Sequence, residues 1–121
     1  MASARLAMAV IWREVTLAKA VKPVVVSMGD LAASGGYYIS CAADRIYAQP
    51  NTITGSIGVF GIIPNMKGFF NDKLGITFDG VKTNTYADML TTSRPLNADE
   101  KAIFQGYVDK FYETFKSRVA E

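Results

Sequence analysis

Apolar and polar positions along the chain switch repeatedly between a helical and a strand-like period. In "RLAMAVIWREVTLAKAV", Leu6, Val10, Trp12, Val15 and Leu17 fall mostly at helical spacings with good helix formers between them, which predicts a helix from about Ala4 to Ala20. Lys22-Pro23 ends it. "PVVVSMG" is β-branched with no polar alternation until Ser27, the pattern of a strand buried on both faces of a parallel sheet. A turn through Asp30 to Ala33 leads to "SGGYYISCAADR", a helix rich in small residues. "RIYAQ" and "ITGSIGVFGII" read as strands joined by the turn-forming "PNT". "NMKGFFNDKLG" predicts a short helix closing at Gly75, "ITFDGVK" a strand, and "TNTYADMLTTSRP" an extended polar linker. The last stretch, residues 97–121, predicts a long amphipathic helix with Asn97 as N-cap, acidic residues in its first turn, and an apolar stripe of Phe104, Val108, Phe111, Tyr112 and Phe115. Helix and strand alternating through short connections indicate an α/β layered fold.

Composition narrows the class. The 121 residues, half of them hydrophobic and 20% charged, suffice for one core, so the chain is one domain or a piece of one. Thirteen Lys and Arg residues give a net charge of +2 but are scattered, which argues against a nucleic-acid partner. No apolar run reaches the roughly 18 residues of a membrane span, and the chain itself reads as soluble. "MASARLAMAVIW" faintly resembles a secretory signal, but charged "REV" follows at once, so residues 1–21 are read as a leading helix that carries residues foreign to the domain at its start. The absence of histidine excludes a Ser-His-Asp triad, a Cys-His dyad and a His-based metal site within this chain, and the single Cys41 excludes an internal disulfide and a thiolate cluster. No metal and no cofactor are expected.

One junction carries chemistry. A strand ending at Met28-Gly29 and a helix beginning near Ser34 would present the Ser34 hydroxyl beside free backbone N–H groups, with Gly35 and Gly36 allowing close approach of a reacting carbonyl. That is the logic of a nucleophile elbow without the usual G-x-S-x-G spelling. The same pattern also suits a serine that only caps a helix. Asp30 reads as a turn cap or an acid/base group, Tyr37 and Tyr38 as core or pocket border, and Cys41 as a buried small hydrophobe.

"GDLAASGGYYISCAADRIYAQPNTITGSIGVFG" resembles the signal peptide peptidase A family, also called protease IV, membrane-bound serine peptidases of the Clp/crotonase superfamily. The likeness continues through "KLGITFDGVKT" and "SRPLNADEK", from about Lys22 onward. It implies a Clp/crotonase-like layered fold of parallel strands and helices, incomplete as a fragment, with Ser34 as nucleophile and the Gly35 N–H as one oxyanion donor. Ser56, Ile57, Gly58 and Val59 would line the groove that holds an extended peptide substrate. Family members begin this domain with a strand leading to a Gly-Gly-Ser motif, where this chain has "MASARLAMAV".

The resemblance also implies a Ser-Lys dyad. Short members carry the lysine at the position of Ala87; in long, tandem members a homologous N-terminal domain supplies it, which makes this chain similar to the C-terminal half of a long-form enzyme. Lys67, Lys73 and Lys82 are the candidate lysines within the chain, and Lys82, the one near the right linker, is five residues short of the required place. The implied activity is degradation of cleaved signal peptides and other hydrophobic extended peptides, on the periplasmic side of a bacterial inner membrane, by a homo-oligomer, tetrameric by resemblance. The isolated chain is expected to be inactive. Two other readings stand beside it: a crotonase-like acyl-coenzyme A enzyme, and a non-catalytic assembly domain.

Overall fold

The computed structural model describes the backbone of residues 2–121 and the side chains from Leu6 onward. Eight elements follow one another: α1 (Ala2–Lys19), β1 (Val25–Ser27), β2 (Leu31–Ala33), α2 (Gly35–Ser40), β3 (Arg45–Tyr47), β4 (Ile53–Gly55), a π-helical turn at Phe69–Lys73, and α3 (Ala98–Ala120). This is a mixed α/β chain with small parallel sheets. They fall into two compact units, one running to Val59 and joined by Lys110–Glu121, the other Phe60–Asp109.

In the first unit, four short strands form two parallel ladders. β1 pairs with β3 (Val25↔Arg45, Val26↔Ile46, Ser27↔Tyr47), and β2 with β4 (Leu31↔Ile53, Ala32↔Thr54, Ala33↔Gly55). Side chains lock the ladder ends. Asp44 Oδ2 accepts the Val24 N–H at 2.9 Å, and Thr52 Oγ1 donates to Gly29 O at 2.9 Å. The segment Leu31–Ala33 is therefore strand, where a turn was expected, because the N–H groups of Ile53 and Ser34 bond to Asp30 O and Gly55 O respectively.

The expectation of strands buried on both faces is corrected. Val25 is 58% exposed, and the paired Leu31 and Ile53 are 70% and 65% exposed. A β-branched run favours the pleated backbone whether or not a second layer covers it, so the sequence pattern reports strand and not cover.

The core lies instead between helices. Trp12 of α1, Tyr38 of α2 and Phe115 of α3 form it, with Met8, Ile39 and Val119 packed around them. Tyr38 and Phe115 meet edge to face at 5.2 Å, and the Arg118 guanidinium covers the Trp12 ring at 3.8 Å. Each buried aromatic contributes about 1.5–3 kcal/mol of burial. Met8, Trp12 and Val15 thus make the inward stripe of α1, whereas Leu6, Val10 and Leu17 are exposed. α2 is shorter than "SGGYYISCAADR" suggested, ending with Cys41 as its C-cap.

The second unit is organised by charge and by one aromatic cluster. Phe70 lies between Phe69 and Phe78, and the helical turn closes at Gly75, whose φ of 65° favours glycine. No strand forms over 76–82: among the described residues no other strand pairs with it, and Ile76, Phe78 and Val81 are exposed. The stretch expected as an extended linker is folded into successive turns, Ala87 N–H to Asn84 O, Met89 N–H to Tyr86 O and Thr91 N–H to Asp88 O. Among the described residues no helix is long and apolar enough to cross a membrane.

Candidate active site

Ser34 sits where β2 ends and α2 begins, and its backbone is forced. Its φ of 52° and ψ of −112° lie where a side chain clashes with its own backbone. Such a residue costs on the order of 1–3 kcal/mol and persists only when its surroundings over-determine it. Two hydrogen bonds contribute to this: Ser34 N–H donates to Gly55 O at 2.9 Å, and Ser34 O accepts the Tyr38 N–H at 2.8 Å. Tyr38 in turn is anchored in the core.

Ser34 occupies the N-cap position, yet its side chain makes no capping hydrogen bond. It is exposed. The capping alternative that the sequence left open therefore loses its defining contact. The first-turn N–H groups that follow, beginning with Gly35, have no acceptor within the helix and are available to a ligand oxygen.

A second strained serine stands beside the first. Ala33 and Gly55 are partners in the β2–β4 ladder, so Ser34 and Ser56 leave the carboxyl ends of neighbouring parallel strands together. Ser56 also has a φ of 52° and is exposed. In open α/β sheets this end of the strands is where ligands bind. The straight strand expected over 53–63 stops at Gly55, because the left-handed Ser56 turns the chain and Gly58 N–H bonds back to Ser56 O at 2.8 Å. Ser34, Gly35 and Ser56 are thus brought together. Ile57, Gly58 and Val59 follow as a bent segment, Ile57 exposed and the other two half-buried.

The remaining candidates divide clearly. Asp30 is exposed, and its backbone carbonyl serves the β2–β4 ladder. Tyr38 is core, and Tyr37 packs against that core. Cys41 donates its thiol to Tyr38 O at 3.1 Å, and burial pushes its pKa up, the opposite of what a thiolate nucleophile requires.

Lys67, Lys73, Lys82 and Ala87 belong to the second unit. Lys82 there is bound to Asp88 at 2.8 Å, an ion pair that occupies its ammonium group. Asp88 also takes two hydrogen bonds from Arg94, at 2.8 and 2.9 Å, and Arg94 gives two more to Glu100, at 2.6 and 2.8 Å. Glu100 Oε2 accepts the Asn97 N–H while Asn97 Oδ1 accepts the Glu100 N–H, a reciprocal cap on α3. The Arg94 guanidinium holds the Asp88 carboxyl well below the usual carboxylate range and brings Glu100 down to about 2. Sequence reasoning found Asn97 but missed this clasp; the "NADE" spacing of the capping box was the available signal.

Known proteins resemble this chain over most of its length. Residues 16–121 match Peptidase family S49. The chain is 42% identical over 113 residues to Protease 4 of Salmonella typhi, covering 93% of this chain and 18% of that protein. It is 44% identical over 105 residues to Protease 4 of Haemophilus influenzae, covering 87% and 17%. With the chloroplastic serine protease SPPA of Arabidopsis thaliana it shares 37% identity over 116 residues, 95% of this chain and 17% of the relative. The chain spans less than a fifth of the length of these three relatives. With a match that covers all but its first fifteen residues, the chain belongs to peptidase family S49.

Proposed function

We propose that this chain carries the nucleophilic part of a Ser-Lys peptidase of the signal peptide peptidase A type, built on a Clp/crotonase-like fold. Ser34 Oγ gives its proton to the lysine amine as it attacks the carbonyl of an extended peptide, and the Gly35 N–H donates to the oxyanion that forms. Collapse of that intermediate breaks the peptide C–N bond, the leaving amine taking up the proton. The acyl-enzyme is then hydrolysed by water. The observation that carries this reading is the exposed Ser34 hydroxyl, free of any capping bond, on a strand-to-helix turn with φ 52°. Strain maintained at a solvent-facing serine is expected of a site and is hard to account for as a cap.

The base is a lysine from outside this chain. A serine hydroxyl is a weak nucleophile and needs an amine that is neutral near pH 7, well below the ordinary lysine value of about 10.4. Ala87 stands where short members of the family would carry it, Lys82 is engaged by Asp88, and there is no histidine. A homologous domain is the source this reading requires. The groove is bordered by Ser56, Ile57, Gly58 and Val59, and the substrates are hydrophobic extended peptides such as signal-peptide remnants, met on the periplasmic face of the inner membrane by an oligomeric enzyme.

The test is Ser34→Ala in the full-length protein, assayed for peptide cleavage and for labelling by a serine-directed phosphonate. Both should disappear while folding persists. Turnover near the wild-type level would remove Ser34 from the reaction.

A further inference from the structure

The two hydrogen bonds that hold Ser34 act on its own N–H and carbonyl. Neither reaches the Cα of Gly35, where the chain passes from the strained residue into α2. Helix α1 meets it there. A methyl group built on Gly35 would stand 2.7 Å from Met8 Sδ and 3.8 Å from Met8 Cγ. Non-bonded carbon and sulfur do not approach to 2.7 Å, so the thioether already fills the space a side chain at 35 would occupy. Met8 is half-buried and lies one helical turn before Trp12, packed against the Trp12–Tyr38–Phe115 core. A thioether is soft and flexible enough to follow an irregular backbone surface.

We infer that Met8 is a positioning residue for the Ser34 turn: its thioether bears on Gly35 and holds the Ser34–Gly35 peptide in the orientation that exposes both the hydroxyl and the Gly35 N–H. The inference rests on reading Ser34 as the nucleophile. A strained backbone relaxes once its surroundings cease to over-determine it. Removing the thioether takes away the support on the Gly35 side, and the turn falls back toward negative φ while Tyr38 keeps α2 anchored.

The test reads backbone conformation and needs no substrate. A positive φ brings an amide hydrogen close to the Hα of its own residue and gives a strong intraresidue nuclear Overhauser signal. In the 121-residue chain that signal at Ser34 should be strong in wild type and in Met8→Leu, which keeps atoms at the δ position. It should be lost in Met8→Ala, with Tyr38 amide protection unchanged in all three. A strong signal retained in Met8→Ala overturns the inference. If Met8→Ala loses Tyr38 protection as well, Met8→Val decides: it keeps bulk beside Trp12 but has no δ atom. Loss of the Ser34 signal with Tyr38 protected supports positioning; a retained signal, or lost protection, makes Met8 ordinary core and overturns it. Because turnover is not read, failure here leaves the nucleophile assignment standing. Turnover surviving in Ser34→Ala would remove that assignment without altering how Met8 acts on the turn.

Discussion

The two compact units hold their key segments by opposite means. Around Ser34, a strained backbone is fixed by ladder hydrogen bonds between backbone groups and by the packing of Tyr38 in an aromatic core. Around Glu100, the segment 82–100 is fixed by a chain of charge, Lys82 to Asp88 to Arg94 to Glu100, closed by the Asn97 cap. Packing leaves the Ser34 hydroxyl unengaged, whereas the charged clasp engages nearly every polar group it contains. Under the proposed function, the group that reacts is not a group that holds the structure.

The largest effect expected from this contrast is on chemistry alone. Ser34→Ala in the full-length protein should lower peptide turnover by about a thousandfold or more, with an unfolding midpoint within experimental error of wild type. A large fall in stability would mean that the hydroxyl holds the turn after all.

Next in size is the core. Tyr38→Ala or Phe115→Ala should cost about 3–5 kcal/mol in urea unfolding, the usual range for an aromatic removed from a close-packed interior. A smaller loss than that produced by Arg94→Ala would reverse the contrast between the units.

The clasp is built from titratable carboxylates, whereas the bonds that hold the Ser34 turn join backbone groups. Glu100 has its folded-state pKa depressed, to about 2 from an ordinary 4.5, so its contribution is fully present above pH 4.5 and is lost as pH falls toward 2. Asp88 is depressed in the same direction. The melting-temperature difference between wild type and Glu100→Gln should therefore be constant near neutrality, shrink below pH 4.5 and vanish near pH 2. A difference that persists to the lowest pH would show that the side chain acts through shape and not through charge.

The smallest effect sharpens the account of strain. Ser56→Gly replaces a residue at φ 52° with one that adopts it freely and should stabilise the chain by about 1 kcal/mol in urea titration. No gain would mean that the Ser56 conformation carries little strain.

What the sequence disclosed follows the range of the interactions. Asn97, Gly75 and Pro23 act on their immediate neighbours, and the helix ends they mark were legible as such. The strand-to-helix junction at Ser34 was legible too, but its dihedral angles were not, because they are imposed by Gly55 across a ladder that no local pattern reveals. The strand expected over 76–82 did not form because β propensity requires a partner, and none of the described strands supplies one. The clasp escaped notice because Asp88 and Arg94 lie on turns and coil, where side-chain partners follow no fixed period, and only Glu100 lies on a regular element.

The bond from Ser34 N–H to Gly55 O also sets a timetable. Ladder partners Ala33 and Gly55 are 22 positions apart, so during synthesis at roughly 5–20 residues per second the serine emerges about 1–4 s before the strand that bends it into place. Translation-arrested chains ending before Ile53 should lack the left-handed Ser34, and chains extended beyond Val59 should be able to form its ladder contact. The turn that carries the exposed Ser34 therefore takes shape only after the partner strand that ends at Gly55 has been made.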